Sequence, residues 1–250
     1  MGLAIHNFES GTMTMPDGWM IRDRNDALST SGWGWSATIL PFMEQTNLFN
    51  QIDFSLRIDD PFNVAASQEV IESHLCPSDP QTQLVLVEDI ESPVGDGSGN
   101  RLTSPIAAPQ DSILMLPRSN YSGVFGNILE NSDPLDGDGV FYGNSGVRFR
   151  DVLDGLSNTL LIGERRNDFG AVSWVGVVEN APEPFARIVG ATDNPPNNNP
   201  VSFQDFRSYH PGGINVIYAD GSLQFLNDSV DLTIYQGLGS IAGGESGNLR

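Results

Sequence analysis

The sequence predicts an α+β fold, in which a short N-terminal helix packs on an antiparallel, turn-rich β-sheet with long loop insertions. The 250 residues include 27 Gly and 16 Pro, which indicates many turns and favours a β-rich body over a helical bundle. Apolar residues stand at helical spacing at the start of the chain, and an Asp-Gly pair near its end separates two apolar segments. No linker-like stretch is visible, so we expect one domain over residues 1–250.

The first predicted element is a helix over residues 1–11, with Gly11 as a plausible stop. Its apolar stripe comprises Leu3, Ala4, Ile5 and Phe8. A helix of about two to three turns is marginal in isolation, and no capping residue precedes it. We therefore interpret this segment as the end of a truncated, originally longer helix, followed by a β-rich globular head over residues 12–250.

The middle of the chain predicts short elements. Helices are expected at 37–50 and 64–75, the second ending at the turn-rich sequence from Cys76 to Pro80. Alternating or β-branched apolar runs predict short strands. These strands are expected at 83–87, 120–125, 139–142, 159–163 and 171–178.

The clearest element is a β-hairpin around Asp220-Gly221. Strands are expected at 214–219 and 222–226, joined by a two-residue type I′ turn, because Asp-Gly tolerates the positive φ that both central positions need. In this register Tyr218 faces Leu223 and Val216 faces Phe225. One apolar face would then comprise Ile214, Val216, Tyr218, Leu223 and Phe225. A final short helix follows, with Asp231 as its N-cap.

The charge balance excludes a general nucleic-acid binder. The chain has 32 acidic and 12 basic residues, all of the latter Arg, and a net charge of −20 repels phosphate backbones and anionic membrane surfaces. Such acidity suits a protein that stays soluble in a salty or calcium-containing medium outside the cell. No apolar run approaches the roughly 18 residues of a membrane span.

Several blocks of the sequence are similar to those of a known family. His210 and Asp220 stand at the spacing of a His-x9-Asp-Gly motif. The motif residues are His210, Pro211, Gly212, Gly213, Asp220 and Gly221. The matching blocks are Gly2 to Phe8, Trp33 to Leu48, Leu75 to Asp79, Asn120 to Val124, Val147 to Arg165, and Ser208 to Ser222. In these blocks the chain resembles the large planctomycete-type family of unknown function that is defined by this motif.

The resemblance implies a pilin-like or pseudopilin-like protein of the cell surface or extracellular space. Members usually begin with a prepilin-type cleavage and methylation segment and a hydrophobic helix that would run into residues 1–11. That helix anchors a subunit in the bilayer and later packs against its neighbours. The implied function is a structural or interaction subunit without catalysis, whose partners are other pilin-like subunits or cell-surface components. Without the helix, we expect a soluble monomer that contacts no membrane.

A hydrolase is one alternative, with His210 as base and Asp220 as its orienting carboxylate. A strand over 214–219 would separate them by about 16–20 Å at about 3.3 Å per residue, whereas a hydrogen bond needs about 3 Å. We therefore predict structural roles: Asp220 forms the turn and His210 anchors the preceding loop. A hydrolase would need His210 within reach of an acid and a nucleophile in a cleft.

An extracellular glycan-binding module is the other alternative. Trp33 and Trp35, together with Trp19 or Trp174, could stack on a sugar ring if they line one exposed face. Core packing beneath the 37–50 helix is the favoured interpretation of these side chains.

Asp133, Asp136 and Asp138 are the best candidate metal ligands. Three carboxylates within six residues suit calcium, although their spacing is not that of an EF-hand, and an acidic turn is the structural alternative. We therefore predict either no cofactor or calcium at these residues. His74 and Cys76 offer two softer ligands, but no second pair stands at zinc-like spacing, so we expect no zinc site.

Two further predictions concern structural roles. Cys76 is the single cysteine, which excludes an intramolecular disulfide. The run of Glu164, Arg165 and Arg166 at the end of a predicted strand could form a functional patch, but a structural ion pair is the favoured interpretation.

Overall fold

The computed structural model describes residues 1–21, 32–87, 114–130, 132–168, 171–178 and 181–243. It has the predicted α+β fold with an N-terminal helix. The helices are α1 (Gly2–Thr12), α2 (Trp35–Thr38), α3 (Thr46–Phe49), α4 (Val64–Ser67) and α5 (Leu232–Gly239). The strands are β1 (Leu84–Val87), β2 (Leu114–Pro117), β3 (Tyr121–Gly126), β4 (Leu160–Glu164), β5 (Val189–Ala191), β6 (Gly213–Tyr218) and β7 (Leu223–Asn227). Short 3₁₀ turns lie at Leu40–Met43, Glu72–His74, Phe149–Asp151 and Leu156–Asn158.

Strands β3 to β7 form a five-stranded sheet in the order β5-β3-β4-β6-β7. Neighbours pair antiparallel except β5, which runs parallel to β3. Strands β1 and β2 form a separate two-stranded antiparallel sheet. The central strand β4 is buried along its whole length, so side chains at its ends are held by a rigid element.

Helices cover both faces of the large sheet. Val216 of β6 packs in one apolar cluster with Tyr235 of α5. Its neighbour Ile217 points to the opposite face, because side chains alternate along a strand, and packs against the cluster that contains Ile5 of α1. A Cβ atom on Gly2 would lie only 3.0 Å from Ile217 Cγ2, so the start of α1 approaches the sheet closely.

Helix α1 confirms the predicted N-terminal helix and extends slightly beyond it. Gly11 remains helical, and the helix is instead terminated by Met13 in the left-handed region at φ 66°, whose N–H donates to Glu9 O at 2.7 Å. Ile5 is buried, whereas Leu3 is 75% exposed and points outward. Within the described ranges, no helix has the length and apolar character needed to cross a membrane.

The two predicted middle helices are wrong as continuous elements. The 37–50 segment is divided into α2, a 3₁₀ turn and α3, because Glu44 takes a left-handed conformation at φ 62°. Pro41 lies inside that 3₁₀ turn, where its missing N–H cannot extend an α-helical ladder. The 64–75 segment is reduced to α4 and a 3₁₀ turn, separated by the extended residue Ile71.

Three predicted strands are confirmed within a residue or so, as β1, β3 and β4. The predicted strands at 139–142 and 171–178 are wrong. They are largely buried irregular segments that bond to the sheets at isolated points, as when the Phe141 N–H donates to Val124 O at 3.0 Å. The apolar pattern of these two segments indicates that they are buried, but burial alone does not distinguish a strand from an irregular segment. Strands β2 and β5, of four and three residues, were not predicted.

The predicted hairpin is confirmed as β6–β7, but its register differs by one residue. The loop contains three residues, 219–221, because the Tyr218 N–H donates to Ser222 O at 2.9 Å. Only Gly221 has positive φ, at 83°. This is the three-residue hairpin loop with a left-handed glycine, not a type I′ turn. Ile217 therefore pairs with Leu223, a position that was predicted for Tyr218.

The register shift changes which side chains are buried. A shift of one residue moves every side chain of a strand to the other face. Ile214 and Val216 are buried as predicted, but Leu223 and Phe225 lie on the α1 side of the sheet, 68% and 51% exposed. The predicted continuous apolar face is therefore wrong for β7, while the predicted cap is confirmed: Asp231 accepts from the N–H groups of residues 233 and 234.

Candidate functional site

Three side chains from distant parts of the sequence meet at one end of the large sheet. Cys76 follows a 3₁₀ turn, Glu164 is the last residue of β4, and His210 lies in the loop before β6. His210 Nε2 is 3.2 Å from Glu164 Oε1 and 3.6 Å from Cys76 Sγ. Within the part of the chain that is described, these residues form the group whose three potential ligand atoms all lie within 4.8 Å of one another. We call it the Cys-Glu-His cluster.

Glu164 is the most rigidly held member of the cluster. Its side chain is 3% exposed, and Oε2 accepts a hydrogen bond from the Asn215 N–H at 2.7 Å. Its backbone oxygen accepts from the Arg207 N–H at 2.9 Å. Burial, together with the nearby negative charge of Glu164, raises the pKa of Tyr121 to about 12. With Oε2 held by the backbone, Oε1 faces His210.

Cys76 is positioned by a buried polar network. Asn120 Oδ1 accepts from the Cys76 N–H at 2.9 Å, and Asn120 Nδ2 donates to Asp79 Oδ2 at 2.6 Å. Asp79 also pairs with Arg118 at 3.1 Å, where the two side chains are 0% and 3% exposed. Burial alone would raise the pKa of Asp79, but hydrogen bonds, one of them from Asn120, and the charge of Arg118 lower it.

His210 is held by the glycine-rich half of the family motif. Its N–H donates to Ser208 Oγ at 3.0 Å, and Ser208 Oγ donates to Gly213 O at 2.7 Å. Gly212 turns the chain at φ 86°, directly after Pro211. The His210 side chain is 30% exposed, so solvent reaches the cluster from this side.

A small pocket of about 10 Å³ borders the cluster, and Arg166, Arg207 and Tyr209 are among its lining residues. The Arg166 guanidinium lies 4.0 Å from the Tyr209 ring centroid and is paired with Asp168. Arg207 also approaches Asp168, at 3.6 Å. The ion pair predicted at the end of β4 is therefore present, but its acidic member is Asp168 and not Glu164.

The contacts limit the chemistry of the cluster. A neutral imidazole nitrogen carries either one hydrogen or one lone pair, yet His210 Nε2 faces both the Cys76 sulfur and the Glu164 carboxylate. A catalytic triad uses the two ring nitrogens separately, one for the nucleophile and one for the acid. The arrangement therefore does not match a Cys-His-Glu triad. Three electron-pair donors that lie within 4.8 Å of one another instead suit a cation.

The predicted separation of His210 and Asp220 is confirmed. Strand β6 runs between them, and Asp220 lies in the hairpin loop, where Oδ1 accepts from the Ser222 N–H at 2.8 Å. The acid and the nucleophile that the hydrolase alternative required do lie beside His210, as Glu164 and Cys76. The shared nitrogen argues against their use as a triad.

The three predicted calcium ligands have structural roles or lie apart. Asp133 Oδ1 accepts from the Leu135 N–H at 2.9 Å, and the Asp138 carboxylate accepts two hydrogen bonds from Asn127, at 2.8 and 2.9 Å. In the described ranges, the carboxylates of Asp133, Asp136 and Asp138 do not converge within metal-binding reach. The geometry therefore favours the acidic-turn alternative over the predicted calcium site.

The predicted aromatic binding surface is wrong, because its side chains are in the core. Trp33 and Trp35 are 0% and 1% exposed. Trp33 packs against Phe54 at a centroid distance of 5.3 Å, and Trp35 Nε1 donates to Ile188 O at 3.0 Å. The other two tryptophans, Trp19 and Trp174, are equally buried. The favoured core interpretation is confirmed, and the glycan-binding alternative loses the residues on which it depended.

His74, which was considered together with Cys76, points away from the cluster. It is fully buried, and its Nε2 lies 2.6 Å from Ser36 Oγ. The ring lies 6.4 Å from that of Trp174. Burial lowers the pKa of His74 to about 3, because a charged imidazolium would be desolvated there.

Acidification is expected to destabilise the protein through His74. Its folded-state pKa of about 3 lies below the ordinary histidine value of 6.5, so the unfolded chain binds the proton more readily. The resulting stability is complete above pH 6.5 and declines as the pH falls towards 3, by about 1.4 kcal/mol per pH unit. Urea denaturation between pH 7 and about 4 measures this slope. In the variant His74→Gln, the free energy of unfolding should fall less steeply with decreasing pH, because one titrating group is removed. An unchanged slope would contradict the assignment.

Sequence reasoning did not place Cys76 or Glu164 at a functional site. They are separated from His210 by 134 and 46 positions, so no local spacing could join them. The sequence nonetheless contained an indication that these three residues act together. Each of the three residues lies in a different block of family similarity, and each is a residue type that binds metals or transfers protons.

Comparison with protein families gives a match along most of the chain. Residues 1–233 match the model of a family described as a protein of unknown function (DUF1559). The matched range includes α1, the Cys-Glu-His cluster and the complete hairpin. No curated protein and no solved structure matches the chain. Because 233 of the 250 residues fall within the family model, the chain belongs to the DUF1559 family of proteins of unknown function.

Proposed function

We propose that the chain is the head of a structural or interaction subunit in an extracytoplasmic, pilin-like assembly, and that it performs no catalysis. The observation that carries this proposal is the contact between the hairpin loop and α1. His6 Nε2 lies 2.9 Å from Ala219 O, and a Cβ atom on Gly2 would lie 3.5 Å from Gly221 Cα. The Asp-Gly end of the family motif therefore fixes the N-terminal helix to the sheet, which is what a subunit that presents its helix to neighbours requires.

The surface around the first turn of α1 is apolar and exposed. Leu3 is 75% exposed, and Leu223 and Phe225 on β7 are 68% and 51% exposed. Leu223 lies nearest to α1, because Gly2 lies against Ile217 and Ile217 pairs with Leu223, whereas Phe225 extends towards Gly213 at the other end of β6. Exposed apolar side chains on one face of an edge strand indicate an interaction surface. In the proposed assembly, the helices or heads of other pilin-like subunits cover it.

The charge of the chain supports the same setting. A net charge of −20 disfavours nucleic acid and anionic lipid as partners, and it keeps a surface-exposed head soluble.

Charge introduced on β7 is expected to disrupt the assembly. The double substitution Leu223→Glu and Phe225→Glu in the protein's own cells should lower the amount recovered with sheared surface material by roughly 10-fold or more, because each side chain would otherwise be buried at a contact. Quantitative immunoblotting of the sheared and cell-bound fractions measures this.

A matched control comes from Phe62, which is 64% exposed and lies just before α4. Phe62→Glu should leave the surface fraction unchanged. Both variants should keep the thermal midpoint of the parent, since exposed substitutions change stability by no more than about 0.5 kcal/mol. Equal recovery of all three proteins, or absence of the parent from the surface fraction, would contradict the proposal.

A further inference from the structure

We propose that Cys76, Glu164 and His210 bind one Zn²⁺ ion, with a fourth coordination position that faces the adjoining pocket. The proposal depends on the geometry of the cluster and is independent of the pilin-like function. It assigns a metal site to residues that the sequence alone does not bring together.

The distances from His210 Nε2 to the other two donor atoms fit a tetrahedral zinc ion. With Zn–S of about 2.3 Å, Zn–N of about 2.0–2.1 Å and Zn–O of about 2.0–2.2 Å, tetrahedral angles place the nitrogen about 3.3–3.4 Å from the oxygen and about 3.6 Å from the sulfur. The observed separations are 3.2 Å from His210 Nε2 to Glu164 Oε1 and 3.6 Å from His210 Nε2 to Cys76 Sγ. The two separations from His210 Nε2 therefore match those of a tetrahedral site, and all three donor atoms lie within 4.8 Å of one another.

A cation also resolves the bonding conflict at His210 Nε2. That nitrogen can offer one hydrogen, which the sulfur and the carboxylate would have to share, or one lone pair, which only the thiol can use. A metal ion at the centre accepts one electron pair each from the imidazole, the thiolate and the carboxylate. All three groups are then satisfied at the observed positions.

The ligand types select zinc over harder cations. Calcium and magnesium take oxygen ligands, whereas a set of sulfur, nitrogen and oxygen suits zinc. The charges also match, because a thiolate and a carboxylate together balance the two positive charges of the ion. Among the nearby arginines, Arg118 is paired with Asp79, and Arg166 and Arg207 share the single negative charge of Asp168.

Each ligand is held by a contact that does not involve the ion. Asn120 fixes the backbone of Cys76, the Asn215 N–H fixes Glu164 Oε2, and Ser208 fixes the backbone of His210. Such contacts orient the ligands and increase the affinity for the metal. The site is therefore preorganised on the end of a central strand and on two loops tied to the sheet.

The ion would join three segments that are distant along the chain. Binding to the folded state alone stabilises the protein by mass action, so zinc should raise the thermal midpoint. Three protein ligands also leave a fourth position for water or an anion from the pocket. Access is available because His210 is 30% exposed at its side chain.

Zinc titration of the chelator-treated, purified chain tests the proposal. We expect one equivalent of zinc to bind in competition with a chromophoric chelator, and the thermal midpoint to rise. Cys76→Ser and His210→Asn should each weaken binding by roughly 100-fold or more, beyond the about 10–100-fold expected for loss of an outer contact. The matched controls His6→Asn and Asp133→Asn should bind as the parent does.

Two further measurements use only the parent protein, so they test the proposal even if a variant folds poorly. Cobalt bound to the parent protein should give thiolate-to-metal charge-transfer absorption and a tetrahedral spectrum. Saturating zinc should also slow alkylation of Cys76 by iodoacetamide. No saturable zinc binding by the parent, or equal binding by Cys76→Ser and the parent, would overturn the proposal. So would equal alkylation rates with and without zinc, which would favour a metal-free Cys-His pair.

Discussion

Replacement of Asp79 by Asn is expected to lower the free energy of unfolding by about 3–5 kcal/mol, because it removes one partner of a buried ion pair. Asp79 and Arg118 are 3.1 Å apart, and their side chains are 0% and 3% exposed. The substitution leaves the Arg118 guanidinium charged in a site that water cannot reach. It also weakens the link from Asn120 to the Cys76 loop, since Asp79 Oδ2 accepts from Asn120 Nδ2 at 2.6 Å.

Chemical denaturation of the two proteins measures this difference, and the chain provides a matched control. Arg57 and Asp59 form a similar pair whose side chains are 44% and 33% exposed, so Asp59→Asn should cost only about 0–1 kcal/mol. The double variant Asp79→Leu with Arg118→Met should recover much of the loss, because no unpaired charge remains. Equal costs for Asp79→Asn and Asp59→Asn would show that the buried pair is not the cause.

Trp35→Ala is expected to lower the free energy of unfolding by about 3–5 kcal/mol, through the cavity it leaves and the lost hydrogen bond. The side chain is 1% exposed, its ring lies 5.1 Å from that of Phe141, and Nε1 donates to Ile188 O at 3.0 Å. The ring therefore connects α2 to the chain just before β5. Its loss affects the largest apolar cluster of the described residues.

Thermal and urea unfolding measure this effect, with Phe62→Ala as the control. Phe62 is 64% exposed, so its truncation should change stability by no more than about 0.5 kcal/mol. A Trp35→Ala protein that is as stable as the parent would contradict the buried position and revive an exposed, ligand-binding interpretation of the tryptophans.

The two halves of the His-x9-Asp-Gly motif have different roles at opposite ends of β6. The His210 half approaches Cys76 and Glu164, whereas the Asp220-Gly221 half closes the hairpin beside α1. The fixed spacing between the halves is the length of the strand that separates them. In this chain His210 and Asp220 therefore lie at the two ends of one strand, and each end is held by its own contacts.

Much of the fold could be predicted because its signals are local. Alternating apolar residues identified β1, β3 and β4, the Asp-Gly pair identified the hairpin, and Asp231 identified the start of α5. Errors arose where local signals compete. Glu44 in a left-handed conformation breaks a segment with helical pattern, and Phe141 is apolar because it is buried, not because it is in a strand.

By itself, the sequence determined the α+β class, the acidic character, the N-terminal helix and the motif hairpin, since periodicity, turn chemistry and charge act over a few residues. The tertiary structure alone decided the hairpin register, the exposure of Leu223 and Phe225, and the meeting of Cys76, Glu164 and His210. Those outcomes depend on strand order and on how loops return to the sheet. A side chain's distant neighbours follow from the packing of the whole chain, which no local spacing encodes.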